Sequence, residues 1–379
     1  MTTKRYPFAL IKERLAARGP AALDFAIGRL SMPLPQPIES WVRENAELAL
    51  EPANRDDLDE FAGAAAGYLA REYRIDVPTV HVLPTPGGRA AMTALIACVL
   101  HPGDAVMVTE PGYPAFARLA AYRHATVVEV PLDPENGFAP ELAAVSRQAN
   151  GTLRIIAMNY PNNPTGAKLS PAVFASFSEL VAGNTVLFND ATYGPLVYDE
   201  EPKSLIAFNG LSKHAADVLE LHSFSKYFPL GPIAVSFLAG SAATLERVRT
   251  YSEFAWSPLS RLQLQATTRC MRDAARLGEL RRFLPLQLES LRETLNDIGF
   301  RPYATPAGVY VICEAPSHID GKAIGSAEEA ARQLMDSFDL AVTPIDAPRH
   351  RYLRFSALYR PEDLARLAGL RNRVRRALS

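Results

Sequence analysis

The chain has 379 residues, 48% of them apolar and 21% charged, with a formal net charge of −1. That length is too great for one small core and predicts a large domain with a smaller companion. The charge balance gives no electrostatic case for nucleic acid or an anionic membrane, and no apolar run reaches the ~20 residues of a membrane span.

The first residues, Met1 to Leu15, are basic but lack an apolar core, so no signal peptide is expected. Three widely spaced cysteines, Cys98, Cys270 and Cys313, form neither a metal pattern nor a disulfide framework. That usage fits a reducing cytoplasm and predicts no bound metal. Between residues 78 and 240, short apolar runs alternate with helical stretches. The runs are Val80–Leu83, Ala105–Val108, Thr126–Val130, Leu153–Met158, Thr185–Phe188, Val218–Leu221 and Ala234–Leu238. They are rich in β-branched residues and mostly do not alternate with polar ones, as strands buried on both faces should be. Helical segments at Gly88–Leu100, Ala115–Tyr122 and Pro171–Val181 separate several of them. This order predicts an α/β fold built on a mostly parallel sheet sandwiched by helices. Past Ser257 the pattern changes to one long helical region, Leu259–Ile298, and then to strand-like pieces at Val309–Ile312 and Tyr352–Phe355 around a helix at Ala327–Phe338. These pieces predict a smaller α+β domain.

In open α/β sheets, ligands bind beyond the carboxyl ends of the strands. Residues with chemistry follow five of the runs. Gly87-Gly88-Arg89 opens a helix after the first, and Tyr113 follows Val108 within Pro111-Gly112-Tyr113-Pro114. Asn162-Asn163-Pro164-Thr165-Gly166 follows Met158, Asp190 and Tyr193 follow Phe188, and Ser223-Phe224-Ser225-Lys226 follows Leu221. Each has a local alternative. A glycine pair before a helix is also a plain tight turn, and Asn-Pro-Thr-Gly is a good turn sequence by itself. A lone loop lysine is normally a solvated charge. Read together they place a phosphate cradle, an aromatic plate, an amide, a carboxylate with a phenol and an amine nucleophile on one sheet edge.

The ordered set Asn163-Pro164-Thr165-Gly166, Asp190-Ala191-Thr192-Tyr193 and Ser223-Phe224-Ser225-Lys226 resembles the fold-type-I pyridoxal-phosphate enzymes, specifically the class I/II aminotransferases. The resemblance runs from Leu23–Gly28 to Tyr352–Ser356. It implies a seven-stranded large domain over 40–255, a small domain over 256–379, and an N-terminal arm, 1–39, that joins the small domain. It implies pyridoxal 5'-phosphate as cofactor and a homodimer with active sites between subunits. By the same resemblance Lys226 holds the cofactor as an internal aldimine and moves the substrate α-proton, and Asp190 pairs with the pyridine nitrogen. Tyr193 and Asn163 bond the ring oxygen, and Tyr113 stacks on the ring. Gly87, Gly88, Arg89, Ser223 and Ser225 meet the phosphate, while Arg354, Asn163 and Gly28 meet the substrate carboxylate. An arginine suits that last task because its planar fork meets a carboxylate with two bonds.

Two family features are missing. The stretch after the lysine, Tyr227 to Ala234, carries no phosphate-binding arginine, and Glu51 to Asp57 carries no tyrosine to reach a partner subunit's phosphate. Arg89 or Arg55 is expected to supply the missing charge. The reading is an aminotransferase moving an amino group between an α-amino acid and a 2-oxo acid. The alternative is a lyase, synthase or cyclase on the same cofactor in a specialised biosynthetic pathway.

Overall fold

The structure is a computed structural model that describes residues 7–27, 30, 32–75, 81–142, 152–209 and 217–378. It divides into two compact units, a larger one of 32–162 with 167–280 and a smaller one of 1–31 with 163–166 and 281–379.

The larger unit is built on an eight-stranded sheet. Its spatial order is His81–Thr85, Ser236–Gly240, Asp217–Ser223, Val186–Asp190, Leu153–Met158, Ala105–Glu110, Thr126–Asp133 and Ala139–Pro140. Only Ser236–Gly240 and the two-residue edge strand Ala139–Pro140 run against the others. That short edge strand is the one element beyond the seven expected. The central strands are buried along their length, which is why their sequences read as unbroken apolar runs. Helix Gly88–Val99 covers one face with Ala91, Met92, Leu95, Ile96 and Val99, spaced to lie on one stripe. Each fully buried side chain of this size is worth roughly 1.5–3 kcal/mol relative to exposure.

Helix Arg55–Tyr73 begins at a reciprocal cap. The Asn54 side chain accepts from the Asp57 N–H at 2.9 Å, and Asp57 accepts from the Asn54 N–H at 3.1 Å. It buries Phe61, Leu69, Tyr68 and Tyr73. The expected long helix over Leu259–Ile298 is in fact two, Arg261–Arg272 and Ala274–Asp297, separated at Asp273. The first packs against Arg55–Tyr73, and residues 256–280 fall in the larger unit.

The smaller unit contains the antiparallel sheet Tyr310–Glu314, Arg351–Ser356, Thr343–Asp346, in that order. Leu23–Asp24 pairs in parallel with Leu340–Ala341, so the start of the chain is hydrogen-bonded to its C-terminal third. Helix Ala327–Phe338 shows why the sequence folds this way. Ser326 caps it by accepting from the Glu329 N–H, and Ala327, Ala330, Ala331, Leu334, Met335 and Phe338 form its buried stripe. Among the described residues no helix is long and apolar enough to cross a membrane.

Candidate active site

In the larger unit a small cleft opens at the carboxyl ends of the parallel strands. Thr109, Tyr113, Asn159 and Asp190 line it, over a floor that includes Met92 and Phe188. Two of the residues singled out in the sequence, Tyr113 and Asp190, therefore face one space.

Asp190 is the last residue of its strand and is 6% exposed. Its Oδ1 accepts from the Thr192 N–H at 3.1 Å and from the Thr192 hydroxyl at 2.6 Å. Burial pushes its carboxyl up, and the Thr192 bonds and the charges of His222 and Lys226 offset this only in part. The turn that follows is tightly tied. The Ala191 N–H donates to Leu221 O on the neighbouring strand, and the Gly194 N–H returns to Ala191 O. Tyr193 is buried within this turn.

Lys226 stands on a helical turn just beyond the neighbouring strand. The Tyr227 and Phe228 N–H groups both donate to Phe224 O. Phe224, Tyr227 and Phe228 are each 1% exposed or less, so the apolar side of the turn is anchored. Lys226 is half-buried and Ser225 is exposed. The Ser223 and Ser225 hydroxyl oxygens lie 3.0 Å apart. Gly87 caps helix Gly88–Val99 at φ +93°, a conformation that a side chain would strain. A Cβ at Gly88 would sit 3.0 Å from Leu221 Cδ2, so glycine lets the helix start lie against the lysine-bearing strand. Arg89 is exposed at this helix start, and no described residue pairs with its guanidinium. Arg55 pairs with Asp59 at 2.9 Å.

In the smaller unit Arg354 is 4% exposed. Its Nη1 donates to Asn163 Oδ1 at 2.9 Å, and its Nη2 donates to Ala26 O at 3.0 Å and to Thr343 Oγ1 at 3.1 Å. Its guanidinium lies 3.8 Å from the centre of the Tyr310 ring. These named partners fix the direction of the fork. Asn163 thus falls with Arg354, whereas Asp190, Tyr193, Tyr113, Lys226, the serines and the glycine turn fall in the larger unit. Gly28 lies outside the described residues.

The donor set fits pyridoxal phosphate. A buried carboxylate at a strand end suits a protonated ring nitrogen, a lysine amine stands nearby, and a helix start with two hydroxyls suits a phosphate. Three supporting residues escaped the sequence reading. The Tyr227 hydroxyl donates to Thr192 O, joining the lysine turn to the aspartate turn. Arg276 donates to Tyr227 O at 3.0 Å and to Pro33 O at 3.1 Å. Arg276 stands four residues before the buried Leu280, on the same helix stripe, and that position was its available signal. The third, Glu220, sits inside a run that otherwise reads as apolar.

Similarity to known proteins identifies the family. The chain is 28% identical over 311 residues to an LL-diaminopimelate aminotransferase of Methanocaldococcus jannaschii, covering 81% of this chain and 73% of that protein. It is 25% identical over 379 residues to the transaminase BacF of Bacillus subtilis, covering 96% and 92%. The solved N-succinyldiaminopimelate aminotransferase of Mycobacterium tuberculosis shares the fold with a TM-score of 0.84 at 23% identity, over 97% of this chain and 96% of that one. The relatives are named as aminotransferases, which supports transamination and not the lyase, synthase or cyclase alternative. Matched over residues 22–369 by the family described as aminotransferase class I and II, the chain belongs to that family of pyridoxal-phosphate-dependent transaminases.

Proposed function

We propose that this aminotransferase moves an amino group between an α-amino acid and a 2-oxo acid with Lys226 as the proton-transfer residue. The observation that carries the reading is the shared cleft of Tyr113 and Asp190, beside the strand that ends at Ser223 and leads into Lys226. When bound, the cofactor supplies an electron sink for negative charge at the substrate α-carbon. The residues do the rest. Asp190 holds the ring nitrogen in its protonated form, and Tyr193 with Asn163 steadies the ring oxygen. Tyr113 covers the ring face. The N–H groups at Gly87 and Gly88, the hydroxyls of Ser223 and Ser225, and the Arg89 guanidinium hold the phosphate. The Lys226 Nζ would take the proton from the substrate α-carbon. Arg354, directed by Asn163, is the residue assigned to the α-carboxylate, with Gly28 assigned beside it by the resemblance.

A homodimer is part of the proposal, supported by large apolar side chains left bare on the larger unit. Leu50 is 89% exposed and Phe254 is 88% exposed. A cytoplasmic location is also proposed, supported by Cys98, Cys270 and Cys313 all being free thiols. The test is to mix the cofactor-loaded protein with single amino acids. Conversion of the bound cofactor to its aminated form, reversed by a 2-oxo acid, supports the proposal. Turnover of one amino acid with no need for a 2-oxo acid sinks it.

A further inference from the structure

Glu220 and His222 are 0% and 1% exposed, and nothing in the proposed reaction uses either. They lie on the lysine-bearing strand, Asp217–Ser223, but on the face away from the cleft. Side chains alternate along a strand. Leu221 approaches Gly88 on the cleft side, so Glu220 and His222 point the other way. His222 there stacks on Phe237 with ring centres 4.9 Å apart and meets the edges of Tyr68 and Tyr73.

The Glu220 carboxylate gathers donors from three segments. The Asn189 side-chain amide donates to it at 3.0 Å from the strand that ends in Asp190. The Leu205 N–H donates at 2.8 Å and the Ser204 hydroxyl also donates, both at the start of helix Leu205–Asn209. His222 Nε2 lies 3.6 Å away on the same strand. Asn189 passes the connection on. Its Oδ1 accepts from the Tyr160 N–H at 2.9 Å and its amide donates to Tyr160 O at 3.2 Å. Asn159 closes the chain of contacts by donating to Asp190 O at 2.8 Å. Burial pushes the Glu220 carboxyl up, but the nearby His222 imidazole and the bonds from Ser204 and Asn189 outweigh it and hold it below the usual carboxylate range.

A buried carboxylate is a costly way to fill a back face that is otherwise aromatic. Replacing a buried ion pair with apolar groups is often neutral or stabilising. What the carboxylate provides that a leucine would not is direction, because each hydrogen bond fixes a distance and an angle. We propose that Glu220 is a positioning residue that sets Asp190 and Lys226 relative to each other by bonding their two strands together from behind. In register, Asn189 stands opposite Glu220 and Asp190 opposite Leu221, so the Asn189–Glu220 bond acts one residue before the aspartate. Lys226 follows on the turn that this strand delivers. The inference rests on the roles proposed above for Asp190 and Lys226.

The test compares the parent protein with Glu220→Leu, which removes every acceptor, and Glu220→Gln, which keeps one. Three quantities are read: melting temperature without cofactor, pyridoxal phosphate affinity by absorbance titration, and the pH midpoint at which the bound cofactor changes colour. Loss of outer residues that orient metal ligands typically weakens a site about 10–100-fold, and a loss of that order is expected for Glu220→Leu. Its melting temperature should fall, because the Asn189 amide, the Ser204 hydroxyl and the Leu205 N–H lose their acceptor. Glu220→Gln should lose less affinity, and both variants should shift the colour midpoint. An unchanged midpoint and affinity in Glu220→Gln overturns the proposal, even if Glu220→Leu does not fold. Affinity that falls only in step with melting temperature, with the colour midpoint unchanged, also overturns it. Borohydride reduction of the loaded parent separates this failure from failure of the functional reading. Cofactor mass trapped on the Lys226 peptide, beside unchanged Glu220 variants, rejects only the positioning role. No trapped mass rejects the functional reading itself.

Discussion

Replacing Arg354 tests the substrate site most sharply. The guanidinium is held by Asn163 Oδ1, Ala26 O and Thr343 Oγ1 at 2.9 to 3.1 Å and lies against Tyr310. Arg354→Lys keeps the charge but gives up the planar fork, and a single ammonium cannot reproduce both the three directed bonds and a two-point grip on a carboxylate. Truncating one partner of a buried, hydrogen-bonded charge pair costs about 2–5 kcal/mol. At about 1.4 kcal/mol per factor of ten, that is a loss of roughly 30- to 4,000-fold in kcat/KM for Arg354→Met, with Arg354→Lys near the lower limit. The loss should appear with amino acids and be absent with a matching amine that has no α-carboxylate. Stopped-flow absorbance of the half-reaction measures both. An equal loss on the amine, or a lysine variant equal to the parent, would refute the assignment.

Three further predictions follow from single features. Arg89→Ala should weaken pyridoxal phosphate binding by roughly tenfold, since a charge-assisted bond is worth about 1.5–3 kcal/mol and this one is exposed; unchanged affinity in an absorbance titration would remove Arg89 from the phosphate site. Burial, with the Glu129 charge adding to it, pushes the Glu110 carboxyl up to about 8. A raised acid pKa means that the folded state holds a proton the unfolded chain releases, so stability falls as pH climbs from the ordinary glutamate range to about 8. Glu110→Gln should therefore raise the melting temperature of the cofactor-free protein more at pH 8 than at pH 5; an equal gain at both would contradict this. A Cβ at Gly194 would meet the Tyr73 hydroxyl at 2.0 Å, so Gly194→Ala should destabilise by about 1–3 kcal/mol in urea titration, and adding Tyr73→Phe should recover part of it. Absence of recovery would place the strain elsewhere.

The strands that build the cleft were legible because both of their faces are buried, which leaves apolar runs that turns interrupt. The residues at their carboxyl ends were legible because a strand end confines chemistry to a few positions. The rest depended on contacts that leave no local pattern. Asp273 separates two helices without any glycine or proline, while Pro285 stands inside the second. Glu220 reads as a single exception in an apolar strand, and its partners Ser204 and Asn189 are 16 and 31 residues away. Asn163 was assigned to both the ring and the substrate carboxylate, and the bond that joins it to Arg354 spans 191 residues, which no spacing rule would anticipate.

The central claim is that Lys226 is the amine on which the reaction turns. Load the protein with pyridoxal phosphate, reduce it with borohydride, and map the added mass by peptide sequencing, with Lys226→Ala in parallel. The account predicts the mass on Lys226 alone, none in the variant, and reversible amination of the bound cofactor only in the parent. Mass on another lysine, or full amination and reversal by Lys226→Ala, would contradict it.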